Sequence, residues 1–425
     1  MSKDKQFDAD LNRRRILRAA GAFGATALAG GYGLPAVANH LTGRDTITLP
    51  FANGERPLVQ FPEKRKLIVL TSRPPQLETP FSVFNEGAIT PNDAFFVRYH
   101  NANLFGGPTN GPQTINANTF RLTVGGNVKQ PLSLSITDLK TQFTPVDITA
   151  VCQCAGNSRG FFKPRVRGGQ WANGAMGNAR WTGVPLRDVL NKAGIGATAV
   201  QVAFNGLDQP AWGTVPDFAK AIDIPLAMNG EVMLAYAMNG EDLPMLNGFP
   251  LRLVVPGYYA TYWVKHLTQI NVIDAVYDTF YMTTAYRIPN NDCACVPPGT
   301  TPASTVPINR MNVRSFITSL QDGAQLPMAP LPVKGFAFDG GSGIRRVAFS
   351  DDDGVTWRDA RLGPNLGNYS FRLWDIDFIP TRSGAFTLKV MAVNGAGEAQ
   401  PLEPRWNPPG YMRNIVESVR VFVVS

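Results

Sequence analysis

Residues 149–162 read T-A-V-C-Q-C-A-G-N-S-R-G-F-F, and this stretch narrows the fold and the chemistry more than any other part of the chain. An apolar, β-branched run ends in a C-x-C pair, whose second member, Cys154, opens a C-A-G-N-x-R turn. A thiolate held rigidly at the end of a strand can ligate a soft, high-valent metal, and Gly156 and Asn157 permit tight backbone geometry around it. An arbitrary cysteine in an exported protein is more often a buried thiol or half of a disulfide. The residues around Cys154 favour a metal ligand instead.

The length and composition of the chain predict two folded domains. At 425 residues the chain is too long for one ordinary core, and 44% hydrophobic residues with 10% aromatic residues are typical of well-packed globular domains. Of the formal net charge of +8, the first 38 residues carry +3. No basic tract of the kind that binds nucleic acid follows, so the charge pattern argues against a nucleic-acid partner and is compatible with a small anionic substrate.

The first 38 residues have the pattern of a twin-arginine export signal. Residues 13–15 are all arginine, a weakly hydrophobic Ala/Gly run follows, and Ala36-Val37-Ala38 is a small-x-small cleavage site. A membrane anchor is a poor alternative because five glycines and a proline interrupt the run. We therefore expect a periplasmic protein with no membrane span after signal removal. Because this route exports folded proteins, commonly those that acquire a cofactor first, the signal also points to a cofactor.

The four cysteines, at positions 152, 154, 293 and 295, form two C-x-C pairs. The members of such a pair rarely bridge one another comfortably, so a bridge within a pair is disfavoured, whereas one between the pairs, for example through Cys152, stays open. Neither pair has the histidines or the spacing of a zinc site, and the chain has no C-x-x-C-H motif for covalent haem. None of the three histidines lies in a hydrolase motif.

Local patterns divide the rest of the chain into an arm and two domains. Residues 39–80 are rich in proline and polar residues and predict an extended arm, with a disordered tail as the alternative. Residues 81–300 predict a mixed α+β domain, with a strand at 120–124 and helices that begin at Ser135 and near Leu186. The segment 290–307 has the composition of a linker.

Residues 301–425 show short strands at regular spacing, separated by turn signals. The strands expected are 334–338, 344–350, 357–361, 369–375, 385–393 and 419–424. The number and the spacing of these strands predict an all-β, immunoglobulin-like sandwich. Such a domain usually serves packing or partner contact, and an inert scaffold is the alternative.

Outside the cysteine turn, four further segments place polar residues beside apolar strands, where an unpaired charge is costly unless a bound group compensates for it. Each residue alone has a structural explanation, such as a surface arginine or a core tryptophan. The segments are 95–100 with Arg98 and His100, 168–186 with Trp171, 249–265 with Arg252 and Lys265, and 283–287 with Tyr286.

In this order around the cysteine turn, and followed by the sandwich, these motifs resemble the sulfite oxidase family of molybdenum enzymes over roughly residues 80–425. They look most like the bacterial periplasmic sulfite dehydrogenases, whose catalytic subunit lacks a haem domain. The resemblance implies a molybdopterin cofactor whose molybdenum is bound by Cys154. It assigns Arg98, Arg159 and Trp171 to the substrate pocket and Tyr286 to the metal's oxygen ligand. The residues that it assigns to the pterin and its phosphate are His100, Asp208, Asn247, Arg252 and Lys265.

Two positions depart from the family's pattern. Ser158 stands where many relatives have a second arginine, and Asn247 stands where they have a cofactor-contacting histidine. A further pocket arginine that relatives draw from later in the chain has no assigned counterpart. Residues 406–414, W-N-P-P-G-Y-M-R-N, resemble the closing motif of the family's dimerisation domain.

The resemblance implies oxidation of sulfite to sulfate, with electrons passed singly to a c-type cytochrome or a haem c subunit, and a homodimer formed through the C-terminal domain. Guanidinium groups suit a small oxyanion, and Arg98 is expected to lower the pKa of the Tyr286 phenol. The alternatives are a related periplasmic molybdopterin reductase acting on a sulfoxide or on nitrate, and a cofactor-free binding or adhesion protein.

Overall fold

The computed structural model describes residues 45–72, 74–101, 104, 114–210 and 213–425. The predicted export signal lies outside these residues. The described residues form one compact unit. Within the described ranges, no helix combines the length and the apolar character needed to cross a bilayer.

The predicted arm contributes paired strands, which the sequence patterns did not indicate. Its four strands and one from the following segment form an antiparallel meander, in which each strand pairs with the next. The apolar residues of the third strand, Ile68 and Val69 among them, are buried against the body of the protein. The strands are β1 (Thr46–Thr48), β2 (Glu55–Gln60), β3 (Lys66–Ser72), β4 (Pro75–Glu78) and β5 (Val97–Arg98).

Two further sheets form the body of the N-terminal part of the described chain. One has the order β11-β10-β15-β6-β7, with β6 and β15 parallel, and the other has the antiparallel order β13-β12-β9-β8, with β14 paired to β12. Their strands are β6 (Leu122–Gly126), β7 (Leu132–Leu134), β8 (Val146–Gln153), β9 (Met176–Pro185), β10 (Gln201–Gly206), β11 (Lys220–Asp223), β12 (Met233–Met238), β13 (Glu241–Asp242), β14 (Arg252–Val254) and β15 (Leu267–Ile273).

The helices are short. Those of the described residues are α1 (Ile136–Gln142), α2 (Leu186–Ala193), α3 (Ile224–Ala227) and α4 (Phe280–Thr283), with 3₁₀ turns at Phe81–Asn85, Asn92–Ala94, Arg159–Phe161, Met245–Asn247 and Ala260–Tyr262.

The two helix starts read from the sequence are confirmed. Helix α1 begins with a capping box, in which the Asp138 N–H donates to Ser135 Oγ and the Ser135 N–H donates to the Asp138 carboxylate. The amphipathic α2 begins at Leu186 and ends before Gly194, whose φ of 71° suits glycine. The expected mixed α+β domain contains few helices, because strands make up most of its regular structure.

The expected linker at 290–307 is a structured connection. Strands β16 (Arg287–Pro289) and β17 (Thr305–Pro307) pair at its two ends, and between them Cys293 and Cys295 form a disulfide. The expectation that a C-x-C pair would not bridge internally is therefore wrong here. Ala294, the residue between the two cysteines, has a positive φ of 49°, so the backbone itself bends to bring the two sulfurs together. Cys152 and Cys154 are free thiols.

The C-terminal part consists of two sheets that share one apolar core. Strands β18 (Arg314–Ile317), β20 (Leu331–Phe338), β24 (Arg372–Phe378) and β23 (Arg361–Leu362) form the first sheet in that order. The second sheet has the order β19-β26-β25-β21-β22, and its strands are β19 (Ala324–Pro327), β21 (Ile344–Ser350), β22 (Arg358–Asp359), β25 (Gly384–Asn394) and β26 (Glu417–Val424). The strand expected at 357–361 divides between the sheets, since β22 pairs with β21 and β23 pairs with β24.

An aromatic cluster joins the C-terminal sheets to the N-terminal part. Phe81 and Phe84 lie between β4 and β5. The centre of the Phe81 ring is 5.6 Å from that of Phe316, and the centre of the Phe84 ring is 5.3 Å from that of Phe336. Phe371 stacks on Phe336 at 4.2 Å. Because these rings are almost all buried, the two parts are held by a continuous apolar interface rather than by a flexible linker.

Candidate active site

The cysteine turn is clamped by the loop that precedes β9. Strand β8 carries the chain to Cys154, whose N–H donates to Ala175 O at 2.9 Å. The Ala175 N–H in turn donates to Asn157 Oδ1 at 3.0 Å, and the Gly160 N–H donates to Trp171 O at 2.9 Å. Residues 154–160 are therefore fixed by hydrogen bonds along their length.

A carboxylate from the arm holds that clamping loop in place. Glu78, at the end of β4, accepts hydrogen bonds from the N–H groups of Ala172 at 3.0 Å and Gly174 at 2.7 Å. The side chain is 1% exposed, and burial raises the pKa of its carboxyl to about 7 against the pull of the two N–H groups. The arm thus supports the cysteine turn through one buried acid.

A narrow cavity, with about 40 Å³ open to a water-sized sphere, lies beside the cysteine turn. Its walls come from segments that are far apart in the sequence, including residues 95–100, the cysteine turn, the start of β14 and the residues before β15. Seven of the predicted site residues line it: Arg98, His100, Cys154, Asn247, Arg252, Lys265 and Tyr286.

Arg252 is a buried cation without a carboxylate partner among the described residues. Its Nη1 donates to Asn247 O at 2.8 Å, its guanidinium lies over the rings of Trp181 and Trp263, and its buried Nε donates no hydrogen bond. Burial lowers the pKa of the guanidinium, although Arg remains charged. No described carboxylate lines the cavity. A bound anion would offset the cost of this buried charge.

Lys265 faces Asp208 behind the cavity wall. The Lys265 ammonium donates to Arg98 O at 2.8 Å and lies 4.2 Å from the centre of the Tyr99 ring. Burial lowers the pKa of Lys265 and raises that of Asp208, and the charge of each opposes the shift of the other. Asp208 is 3% exposed and does not line the cavity, so the structure places it as a partner of Lys265.

Asn247, one of the two departures from the family's pattern, is already bonded to protein. Its Oδ1 accepts from Lys64 Nζ at 2.5 Å, and its Nδ2 donates to Phe96 O at 3.1 Å. Lys64 is itself buried, which lowers the pKa of its ammonium to about 7. No sequence signal pointed to Lys64, which lies 183 residues away from its partner.

Tyr286 and His100 form a hydrogen-bonded pair at the cavity. The Tyr286 hydroxyl and His100 Nε2 are 2.6 Å apart, and the imidazole stacks on Phe218 at 3.9 Å. Burial raises the pKa of Tyr286, and the charges of Arg98 and Arg159 only partly oppose this. The expectation that Arg98 would lower the phenol pKa overall is therefore wrong. Burial also holds the pKa of His100 well below its usual value, so the imidazole is neutral.

Tyr286 also has an unusual backbone conformation, with a φ of 59°. A left-handed conformation is strained for a bulky residue, and such strain is common at functional sites.

Arg159 and Trp171 lie outside the cavity lining. The Arg159 Nε donates to the carbonyl oxygens of Pro409 and Gly410 at 3.2 Å each, and its Nη1 donates to Gly169 O at 3.3 Å. Trp171 is 1% exposed and packs in the same apolar cluster as Cys154. Arg159 thus lies outside the cavity, although its charge acts on the Tyr286 phenol. Trp171 packs against the cysteine turn, where its carbonyl oxygen accepts from the Gly160 N–H.

The closing motif supplies a residue that the sequence did not single out. The ring of Tyr411 stacks on Tyr286 with centres 5.1 Å apart, and the guanidinium carbon of Arg159 lies 4.8 Å from its centre. The sequence pointed to the segment W-N-P-P-G-Y-M-R-N, which contains Tyr411, but nothing in it indicated that the Tyr411 side chain reaches the site.

Two further buried cations surround the site. Lys220 donates to Tyr281 O at 2.6 Å and lies 5.4 Å from the centre of the Tyr286 ring, and burial lowers its pKa to about 7. Arg314, from β18, donates to Ser158 Oγ at 3.0 Å and pairs with Glu417 at 2.5 Å. Ser158, the other departure, therefore contacts an arginine from the C-terminal sheets.

Comparisons with known proteins identify the family. Residues 109–281 match the model of the oxidoreductase molybdopterin binding domain, and residues 305–423 match that of the Mo-co oxidoreductase dimerisation domain. Sulfite oxidase from Arabidopsis thaliana is 32% identical over 393 residues, which cover 86% of this chain and 96% of that protein. The chain belongs to the sulfite oxidase family. Its cofactor is therefore molybdopterin with molybdenum, which fits a thiol and buried cations around one cavity.

Two further proteins are similar to this chain, one in sequence and one in structure. Mitochondrial sulfite oxidase from Macaca fascicularis is 35% identical over 375 residues, and the chain spans 66% of that protein's length. The crystal structure of the sulfane dehydrogenase SoxCD from Paracoccus pantotrophus superposes with a TM-score of 0.67 at 25% identity, and the match covers 94% of this chain and 93% of that one. The chain is thus a sulfite oxidase-type molybdenum oxidoreductase with a molybdopterin-binding domain followed by a dimerisation domain.

Proposed function

We propose that this protein oxidises sulfite to sulfate and passes the electrons singly to a c-type cytochrome. The main support is the cavity in which a thiol, Cys154, lies among cations, with a phenol, Tyr286, that both Arg98 and Arg159 influence. Sulfite and sulfate are small dianions, so a cationic cavity without a lining carboxylate suits both the substrate and the product.

In this proposal the residues divide into cofactor and substrate groups. Cys154 binds the molybdenum, and Arg252 and Lys265 hold the anionic parts of the pterin. When bound, the cofactor supplies the two-electron oxygen-transfer chemistry. The guanidinium of Arg98 would hold the substrate's oxygens from the cavity wall, and that of Arg159, outside the lining, would add positive charge beside Tyr286.

The Tyr286 hydroxyl acts as a neutral hydrogen-bond donor. Because burial raises its pKa, the phenol keeps its proton at neutral pH. The imidazole of His100 is neutral, and with its proton on Nε2 it donates to the phenol oxygen. The hydroxyl proton of Tyr286 then points away from His100 and stabilises an oxygen of the anion as charge develops on it.

The partners and the location follow from the proposed reaction. Conversion of sulfite and water to sulfate releases two electrons and two protons, so a one-electron acceptor must act twice. We propose that this acceptor is a c-type cytochrome or a haem c subunit in the periplasm, reached through the twin-arginine signal at residues 1–38. We also propose an immunoglobulin-like topology for the C-terminal sheets and a homodimer formed through that domain, in line with its match to the dimerisation model.

The test is sulfite-dependent reduction of a c-type cytochrome by the purified protein, with molybdenum measured in the same sample. We expect about one molybdenum per chain. Cys154→Ser should lose molybdenum and activity while it remains folded, because the serine hydroxyl is a poor ligand for this metal. Wild-type sulfite oxidation by this variant would show that the ligand assignment is wrong.

Cys152→Ser is the matched control, since Cys152 is the other free thiol of the same C-x-C pair. We expect it to keep its molybdenum, because only Cys154 is assigned to the metal. A molybdenum-containing protein that reduces nitrate or a sulfoxide but does not oxidise sulfite would support the reductase alternative. A folded wild-type protein that takes up no molybdenum would support a binding protein.

A further inference from the structure

The closing motif lies directly against the cysteine turn. The Met412 N–H donates to Ala155 O at 2.9 Å, while Arg159 donates to the carbonyl oxygens of Pro409 and Gly410. Gly410 has a φ of 63°, and a Cβ there would lie 2.3 Å from a methyl group of Val166. Only glycine allows this close approach, so the motif is shaped to fit the turn.

Asn407 fixes the position of Tyr411 within the motif. Its Oδ1 accepts from the Tyr411 N–H at 3.0 Å, and its Nδ2 donates to Tyr411 O at 2.9 Å. The same Nδ2 lies 3.4 Å from Ala294 O, in the loop closed by the Cys293–Cys295 disulfide. The backbone of Tyr411 is therefore held by a buried amide, and its ring has little freedom to move.

The Tyr411 ring contacts two residues that the proposed function assigns to catalysis. It stacks on Tyr286 at an interplanar angle of 15°, and the guanidinium of Arg159 lies against it. The Arg159 guanidinium donates three hydrogen bonds to backbone oxygens, but no carboxylate among the described residues pairs with it. The flat ring of Tyr411 is thus the surface that fixes the plane of this guanidinium.

We propose that Tyr411 is a positioning residue, which holds the Tyr286 ring and the Arg159 guanidinium in register for the anionic substrate. The inference rests on the proposed function for the identity of that substrate, but the packing itself does not depend on it. The ring acts, rather than the hydroxyl, because stacking on Tyr286 and contact with Arg159 both use the aromatic face.

The test compares Tyr411→Phe, which keeps the ring, with Tyr411→Leu, which removes it. We expect Tyr411→Phe to stay within about threefold of wild type in kcat and KM for sulfite. Tyr411→Leu should raise KM about 5- to 10-fold through Arg159 and lower kcat about 10-fold through Tyr286. It should also weaken sulfate binding, measured by calorimetry, about as much as it raises KM, with unchanged molybdenum content.

The matched control is Tyr236→Leu. Tyr236 is also partly buried and has a lysine ammonium, that of Lys140, 5.0 Å from its ring centre, but it does not line the cavity. We expect wild-type kinetics and sulfate binding from it. If Tyr411→Leu does not fold, Tyr411→Met, which fills similar space without a flat ring, takes its place with the same expected effects.

Two results would overturn the role of Tyr411. One is unchanged KM and sulfate affinity in the Leu or Met variant, and the other is an equal loss in Tyr411→Phe. A crystal structure of the variant gives a readout independent of turnover, since Arg159 and Tyr286 should both be displaced in it. If wild-type protein does not oxidise sulfite, the proposed function fails, whereas this structural comparison still decides the role of Tyr411.

Discussion

Replacing Glu78 by glutamine should remove a pH dependence from the stability of the protein, although it also removes a carboxylate that accepts two hydrogen bonds. Burial raises the pKa of Glu78 from 4.5 to about 7. Between these values the folded protein keeps a proton that the unfolded chain has lost. The free energy of unfolding therefore falls as pH rises through this window, by about 1.4 kcal/mol per pH unit, and changes no further above the folded pKa.

The size of the effect follows from this window. From pH 5 to pH 8 the wild type should lose about 2 to 3 kcal/mol through Glu78, because roughly two pH units of the window lie in that range. Glutamine does not titrate, but its NH2 group cannot accept from the N–H of Ala172 or Gly174, so one of these two hydrogen bonds is lost at every pH, at a cost of about 1 to 3 kcal/mol. The stability of Glu78→Gln relative to wild type should therefore rise by about 2 to 3 kcal/mol from pH 5 to pH 8.

Urea unfolding at both pH values measures this difference. Glu86→Gln is the matched control, because Glu86 is 45% exposed in its pair with Arg65, and it should change stability by less than about 1 kcal/mol at either pH. A stability difference between Glu78→Gln and wild type that is the same at pH 5 and at pH 8 would refute the reasoning. It would mean that the N–H groups of Ala172 and Gly174 outweigh burial and that Glu78 is ionised in the folded protein.

Two further predictions concern the other buried charges. Arg314→Met should lower the free energy of unfolding by about 1 to 3 kcal/mol, because Ser158 and Glu417 lose a buried hydrogen-bond donor while Arg413 still pairs with Glu417, whereas Arg346→Met, at an exposed pair, should cost less than about 1 kcal/mol; equal effects in urea unfolding would contradict this. Lys220 has a pKa lowered to about 7, so the unfolded chain binds the extra proton above that pH, and Lys220 should contribute about 2 to 3 kcal/mol to the rise in wild-type stability from pH 7 to pH 9, beside a similar contribution from Lys64. Lys220→Met should reduce the rise by that amount and the exposed Lys192→Met should leave it unchanged, and an undiminished rise in Lys220→Met would show that Lys220 does not contribute to it.

The features that the sequence predicted correctly carry their signal locally. The capping box of α1 lies within four residues, and β-branched and aromatic residues between two turn signals mark a strand such as β21, which was placed at its observed bounds. The motif around Cys154 is also local. For the residues that line the cavity, the ordered set of motifs was enough to bring Arg98, Arg252 and Tyr286 together, although nothing in their spacing measured a distance.

The features that the sequence missed depend on contacts between distant segments. Glu78 acts on a loop 94 residues later, and Asn407 holds the backbone of Tyr411, whose ring stacks on Tyr286. Neither role has a local pattern, because the partners become neighbours only in the folded chain. The expected direction of the pKa shift of Tyr286 was wrong for a related reason. The charge of Arg98 can be read from the sequence, but the degree of burial that outweighs it cannot.

The distribution of charge relates the cofactor to the stability of the fold. Arg252 and Lys220 are buried without a carboxylate partner among the described residues, and the pKa shifts of both show what their burial costs. Arg252 lines the cavity, so an anionic cofactor there offsets part of its cost only in the folded state, and its binding stabilises the fold by mass action. The cavity walls come from several distant segments, and the same binding therefore holds those segments together. Such a chain gains most if it takes up its cofactor as it folds, which suits the proposed export of the finished protein.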